Sequence, residues 1–103
     1  MPNHAAISAA KAGVEGLARA AAADYAKRGI RVNVISPGLV DTPLSAHLLS
    51  NEQSRAVSEA MHPVGSIGNA DDIASVAEWL IKDAPDWMTG DIIPVDGGLT
   101  NLK

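Results

Sequence analysis

Ile30-Arg31-Val32-Asn33-Val34-Ile35-Ser36-Pro37-Gly38 is the stretch on which the fold turns. Its first six residues are rich in β-branched side chains, and Pro37-Gly38 closes them with a turn signal, so residues 30–35 read as a strand. Its apolar content indicates burial on both faces, the pattern of a parallel sheet. Working backwards, residues 3–28 are alanine-rich and free of internal proline, with Pro2 and Asn3 as a start signal and Gly29 as a stop. A long helix is expected there. Ala9, Ala12, Gly13, Gly16, Ala20 and Ala23 recur at three- and four-residue spacing, which gives that helix a smooth strip on which a partner helix can approach closely.

Working forwards, residues 39–62 are the least regular part. Pro43 interrupts them, Leu44, Leu48 and Leu49 suggest a short helix, and residues 52–61 suggest another. Asn69 then caps a helix with Asp72 three residues on, and Ile73, Val76, Ala77, Leu80 and Ile81 form its buried stripe. Its end is expected near Asp83. Asp71 and Asp72 suit the positive end of its dipole. Ile92-Ile93-Pro94-Val95 is a last short strand, Pro94 marks it as an edge or an interrupted ladder, and Asp96-Gly97-Gly98 closes it. The order is helix, strand, short helices, helix, strand. It predicts an α/β fold with two parallel strands, joined by a crossover and flanked by a helix on each face.

At 103 residues the chain is one domain, and 47% hydrophobic against 19% charged residues suits a packed protein rather than a disordered one. A net charge of -4 carries no electrostatic footprint for nucleic acid or an anionic membrane. No apolar run is long enough to span a bilayer and no secretion signal opens the chain, so neither membrane nor export is indicated and the expected location is cytoplasmic. Cysteine is absent, which removes disulfides, thiolate nucleophiles and zinc-thiolate sites, and His4, His47 and His62 are too far apart in sequence for a local metal motif. No metal site is expected. Trp79, Trp87 and Tyr25 are the only aromatic residues, so the core is aliphatic and closely packed, with no roomy pocket implied.

Three blocks stand in a familiar order and spacing: Ser8-Ala9-Ala10-Lys11-Ala12-Gly13, Arg31 through Gly38 as quoted above, and Thr89-Gly90 followed by Val95-Asp96-Gly97-Gly98. In these the chain resembles the C-terminal part of a short-chain dehydrogenase/reductase, over nearly all of its length. The resemblance implies that residues 1–103 form the C-terminal half of a Rossmann domain and so a partial Rossmann-like fold. It implies an NAD- or NADP-dependent oxidoreductase of carbonyl and alcohol substrates. By the same resemblance Lys11 is the catalytic lysine and holds the nicotinamide ribose, Pro37 and Gly38 bring backbone near the nicotinamide, Val40 offers its main chain to the carboxamide, and Thr42 donates its hydroxyl.

Two departures limit what the chain does alone. The family's glycine-rich phosphate turn, its NAD/NADP-selecting residue and its catalytic serine have no counterpart in this sequence, so most of the cofactor site lies elsewhere. Ile7 occupies the place of the family's tyrosine, four residues before Lys11. Hydride transfer to a carbonyl leaves an alkoxide that needs a proton, and in the family a lysine one helical turn away lowers a tyrosine pKa from its usual ~10 to supply it. An alkyl group cannot donate that proton. Tyr25 cannot stand in, because at the helical rise it lies about 27 Å along the axis from position 7.

Plain structural readings stand beside these. Lys11 reads equally as a solvated surface lysine, and Pro37-Gly38 as a turn that needs no ligand. Asn33 in a strand reads as a side chain bonded to nearby backbone, and His62 as a surface residue. Ser66 stands where the family commonly has arginine, in Pro63-Val64-Gly65-Ser66-Ile67-Gly68. Two short parallel strands do not hold as an isolated sheet, so the fold is expected to be completed by self-association, which would bury the small-residue strip and Trp79, or by a complementary N-terminal half. Two functions of different class remain: an oxidoreductase portion that acts only with a dinucleotide-binding complement, or a non-catalytic association module or gene fragment.

Overall fold

The computed structural model describes residues 4–102 of the chain. Pro2 and Asn3, the expected helix start signal, lie outside the described residues. Nine elements follow in the order α1 (His4–Tyr25), a 3-10 turn (Ala26–Arg28), β1 (Val34–Pro37), β2 (Val40–Asp41), α2 (Ala46–Leu49), α3 (Glu52–Met61), β3 (Gly68–Asn69), α4 (Ala70–Lys82) and β4 (Ile92–Val95). Helices and strands are interspersed in an α/β arrangement. By contact the chain divides into two units: Met1–Val34 with Pro85–Ile93, and Ile35–Ala84 with Pro94–Lys103.

In the first unit α1 is the dominant element. The alanine-rich sequence sustains it to Tyr25, where the helix tightens into the 3-10 turn and Gly29 ends it at φ 79°, its N–H on the Ala26 carbonyl at 3.1 Å. The left-handed conformation is one that glycine adopts without steric cost. Ala22 is buried and a Cβ on Gly90 would touch its methyl at 3.6 Å. Most of the remaining helix surface is open, and a Cβ added at Gly13 or Gly16 would meet nothing within 4 Å. The small-residue strip is thus present and uncovered.

The strand expected at 30–35 begins later, at Val34, and runs on to Pro37. Side chains explain the shift. Thr89 Oγ1 accepts from the Val32 N–H at 3.0 Å. The Asn33 amide bridges the Met88 carbonyl (3.2 Å) and the Asp91 N–H (3.1 Å). Beside the single backbone bond from the Gly90 N–H to the Val32 carbonyl at 2.8 Å, these side chains answer the backbone before position 34, and they confirm Asn33 as a side chain bonded to backbone. From there β1 pairs with β4. The Val34 N–H donates to the Asp91 carbonyl at 2.9 Å and the Gly38 N–H to the Val95 carbonyl at 3.1 Å. Partners advancing together by four residues mean parallel strands.

The second unit holds an additional parallel pair, β2 with β3, registering Val40 with Gly68 and Asp41 with Asn69. In the irregular stretch, Leu49 of α2 is buried. The Asn51 side chain accepts from the N–H groups of Gln53 and Ser54, capping α3. Asn69 forms a full capping box with Asp72 at the start of α4, and the helix ends at Asp83. Ile73, Val76, Ala77 and Leu80 are half-buried, as the stripe requires. Ile81 is not: it is 84% exposed, since it sits about 100° round the helix from Leu80, past the edge of the stripe.

Candidate functional site

Pro37 ends β1 without an N–H to donate, and the chain then runs through Gly38, Leu39 and Val40 to Thr42, where four of the five expected site residues fall. Every step of this run is tied down within the second unit. Gly38 bonds to Val95 as described, and a Cβ at this position would come within 2.8 Å of His62 Nε2 and 3.0 Å of the Asp96 Cα. Only glycine fits there. The Leu39 N–H donates to His62 Nε2 at 3.2 Å, and the Leu39 carbonyl accepts from the Gly68 N–H at 3.0 Å. Ser45 Oγ accepts from the Thr42 N–H at 2.9 Å and donates to the Val40 carbonyl at 2.5 Å. The Thr42 hydroxyl lies 3.3 Å from the same oxygen.

Lys11 lies in the first unit, exposed on α1 and one turn after Ile7, which is 40% exposed. Tyr25, at the other end of the helix, has the Arg28 guanidinium 5.6 Å from its ring centre.

Two residues that sequence reasoning missed organise the second unit. His62, expected at the surface, is 4% exposed. It caps the C-terminus of α3, and its Nδ1 meets the Ser58 carbonyl at 2.7 Å. That carbonyl belongs to the last helical turn, whose acceptors have no partner within the helix. A carbonyl can only accept and a peptide N–H can only donate, so the two bonds together make Nδ1 the donor and Nε2 the acceptor of this ring. Nothing local in the sequence signals this, because Leu39 is 23 residues away.

Asp96 ends β4. Its Oδ1 accepts from the Gly98 N–H at 3.0 Å, and its Oδ2 accepts from the Thr100 N–H at 3.0 Å and the Thr100 hydroxyl at 2.5 Å. The Thr100 hydroxyl, joined by the two backbone donors, holds the carboxyl below its ordinary 3.8 in spite of the opposing effect of burial. Gly97 and Gly98 take φ of 60° and 91° to wrap the chain round it. A local signal for this turn was available, since an Asp two residues before a glycine N–H is the sequence of an Asx turn.

Around these groups lies a pocket of about 290 Å³, lined among others by Gly38, Val40, His62, Ile67, Ile73 and Asp96. The aliphatic composition suggested no such space; glycines rather than large side chains open it, with Gly38, Gly68 and Gly97 all in its wall. Both of its carboxylates are held from the chain, Asp96 as above and Asp72 by the Asn69 N–H at 2.9 Å. The described residues contain no cluster of side chains able to hold a metal, and no described helix is long and apolar enough to cross a membrane. Apart from the exposed carboxylate of Asp41, the 37–42 run carries neutral groups, and with the Gly38, Leu39 and Thr42 N–H groups already donating within the chain, what it offers is chiefly the Val40 carbonyl and the Thr42 hydroxyl, in fixed places. Such an array can orient a polar ring substituent.

Residues 1–100 match the family model described as enoyl-(acyl carrier protein) reductase. The chain belongs to the short-chain dehydrogenase/reductase family of Rossmann-fold oxidoreductases. It is 42% identical over 99 residues to 3beta-hydroxysteroid dehydrogenase 1 of Eggerthella lenta, covering 96% of this chain and 38% of that protein. Against cis-4-hydroxycyclohexanecarboxylate dehydrogenase of Sinomonas cyclohexanicum it is 44% identical over 98 residues, 95% of this chain and 39% of the relative. Among solved structures, 4-hydroxyisoleucine dehydrogenase complexed with NADH superposes with a TM-score of 0.89 at 35% identity, over 93% of this chain and 40% of that one. The chain therefore spans about two-fifths of the length of the proteins it matches.

Proposed function

We propose that this chain is the C-terminal half of a Rossmann domain and supplies the nicotinamide-facing and substrate-flanking part of an NAD- or NADP-dependent oxidoreductase that interconverts an alcohol and its carbonyl compound. The observation that carries the reading is the immobilised run 37–42, in a chain superposing closely on a dehydrogenase complexed with NADH. In this reading the Lys11 ammonium bonds the nicotinamide ribose. Pro37 and Gly38 give close backbone approach, the Val40 main chain meets the carboxamide, and Thr42 donates its hydroxyl to it.

The residues fit such a group. A carboxamide needs neutral donors and acceptors, and the Val40 carbonyl, already accepting from Ser45, retains a second lone pair. When bound, the nicotinamide gives or takes the hydride. The chain's own residues do the rest of what it can contribute: they bind, orient and exclude water. They do not complete the proton transfer. Ile7 stands in the tyrosine's place beside Lys11, so turnover in this reading requires a complement that brings an acid and the phosphate-binding turn.

A second reading, a non-catalytic association module, is favoured by Ile7 together with the exposure of apolar residues on α1, where Val14 and Leu17 are 58% and 71% exposed. In either case a second copy or a complementary half is the expected cover. Calorimetric titration with NADH and NADPH separates the two. Saturable binding at millimolar concentration or tighter, weakened by Lys11→Met, is the outcome the oxidoreductase reading requires; no heat with either nucleotide leaves the association module.

A further inference from the structure

Within the 37–42 run, one peptide N–H is held by a side chain from far along the sequence: Leu39 on His62 Nε2. We propose that His62 is a positioning residue for this run, fixing the Leu39 amide so that Gly38, Val40 and Thr42 are presented in one arrangement and α3 is carried with them. The role rests on the cofactor reading above.

Four observations support it. The ring is fixed at both ends, by Ser58 through Nδ1 and by Leu39 through Nε2. At 4% exposure, water has little access to compete for either bond. The neighbouring peptide is fitted to the ring, since any side chain at Gly38 would begin 2.8 Å from Nε2. Asp96, which the same Cβ would approach at 3.0 Å, draws its side-chain hydrogen bonds from Gly98 and Thr100, so the bonds of the imidazole are those to Ser58 and Leu39. Loss of the Nε2 acceptor would leave the Leu39 N–H without its partner in a part-buried place, which costs more than the bond itself contributes.

Two variants divide the ring's two bonds. In His62→Asn the short amide can donate to Ser58 but does not reach Leu39. In His62→Gln the longer side chain can set a carbonyl oxygen where Nε2 was. Amide hydrogen exchange of the ¹⁵N-labelled chain reads the Leu39 bond, imidazole ¹⁵N shifts read the tautomer, and NADH titration reads the consequence. The wild-type ring is expected to show a protonated Nδ1 and a bare Nε2. His62→Asn should speed Leu39 exchange and weaken NADH binding, each about 3- to 10-fold, the range of one hydrogen bond. His62→Gln should bring both back toward wild type, which a role confined to stability would not do. Equal behaviour of the two variants, or altered Leu39 exchange with unchanged NADH affinity, overturns the proposal. A wild-type chain that binds no NADH removes the cofactor reading and this role with it, whereas wild-type binding with a flat variant series removes the role alone.

Discussion

Gly38 and Asp96 show how much of the second unit depends on single atoms. Gly38 has its neighbours so close that Gly38→Ala must push either the imidazole or the Asp96 backbone by several tenths of an ångström. We expect a loss of ~1–3 kcal/mol, the usual cost of overpacking, read as a lower urea midpoint with unchanged slope; an unaltered midpoint would mean that the His62 contact yields freely. Asp96 predicts a pH dependence. Its carboxyl titrates lower in the folded chain than the ordinary 3.8, chiefly because of the Thr100 hydroxyl. A group depressed in this way stabilises the fold above its unfolded pKa, and the contribution disappears as pH falls through the folded value. The stability gap between wild type and Asp96→Asn should therefore be full near pH 6 and shrink below pH ~4. A gap that stays constant into acid would contradict the bonding described.

At the scale of elements, α1 raises the sharpest question. A glycine inside a helix costs about 1 kcal/mol relative to alanine, and no described atom would meet a methyl group at Gly16. In dilute chain Gly16→Ala should raise the helical content of α1, read as stronger far-UV circular dichroism. If the small-residue strip is a docking face, the same change should weaken association, because the added methyl group holds the partner backbone away. Opposite signs in helicity and in sedimentation are the expected result. A gain in both would mean that the strip faces nothing. The capping box of α4 behaves more simply: Asn69→Ala removes the acceptor of the Asp72 N–H and should cost ~0.5–2 kcal/mol in any assembly.

For the whole molecule, the number of buried apolar side chains is the decisive quantity. Among the described residues only Ala22 and Leu49 are buried hydrophobics, while Ile30, Leu48 and Trp79 are 47%, 46% and 42% exposed. Stability of a small domain is a narrow surplus of apolar burial over chain entropy, and so little burial leaves no surplus. Sedimentation velocity on the purified chain is expected to show concentration-dependent association, with protection of Trp79 fluorescence from quencher in the associated form. A folded monomer persisting at micromolar concentration would contradict this.

The elements themselves were readable because their causes are local. Alanine content makes α1, Gly29 stops it, Asn69 with Asp72 starts α4, and Pro37 marks the end of β1, each acting through neighbours a few residues away. The family was readable because three short blocks keep their spacing. Tertiary structure decided what depends on distant partners. Thr89 and Asn33 delayed β1 by answering backbone groups more than fifty residues away, β2 and β3 are too short to carry a periodicity, and His62 moved from the expected surface to the interior because Leu39 and Ser58 converge on it. Sequence thus determined where the chain bends and which residue types line the 37–42 run. Only the folded chain determined what holds that run still, since a hydrogen bond is a matter of angle and distance that separation along the sequence does not encode.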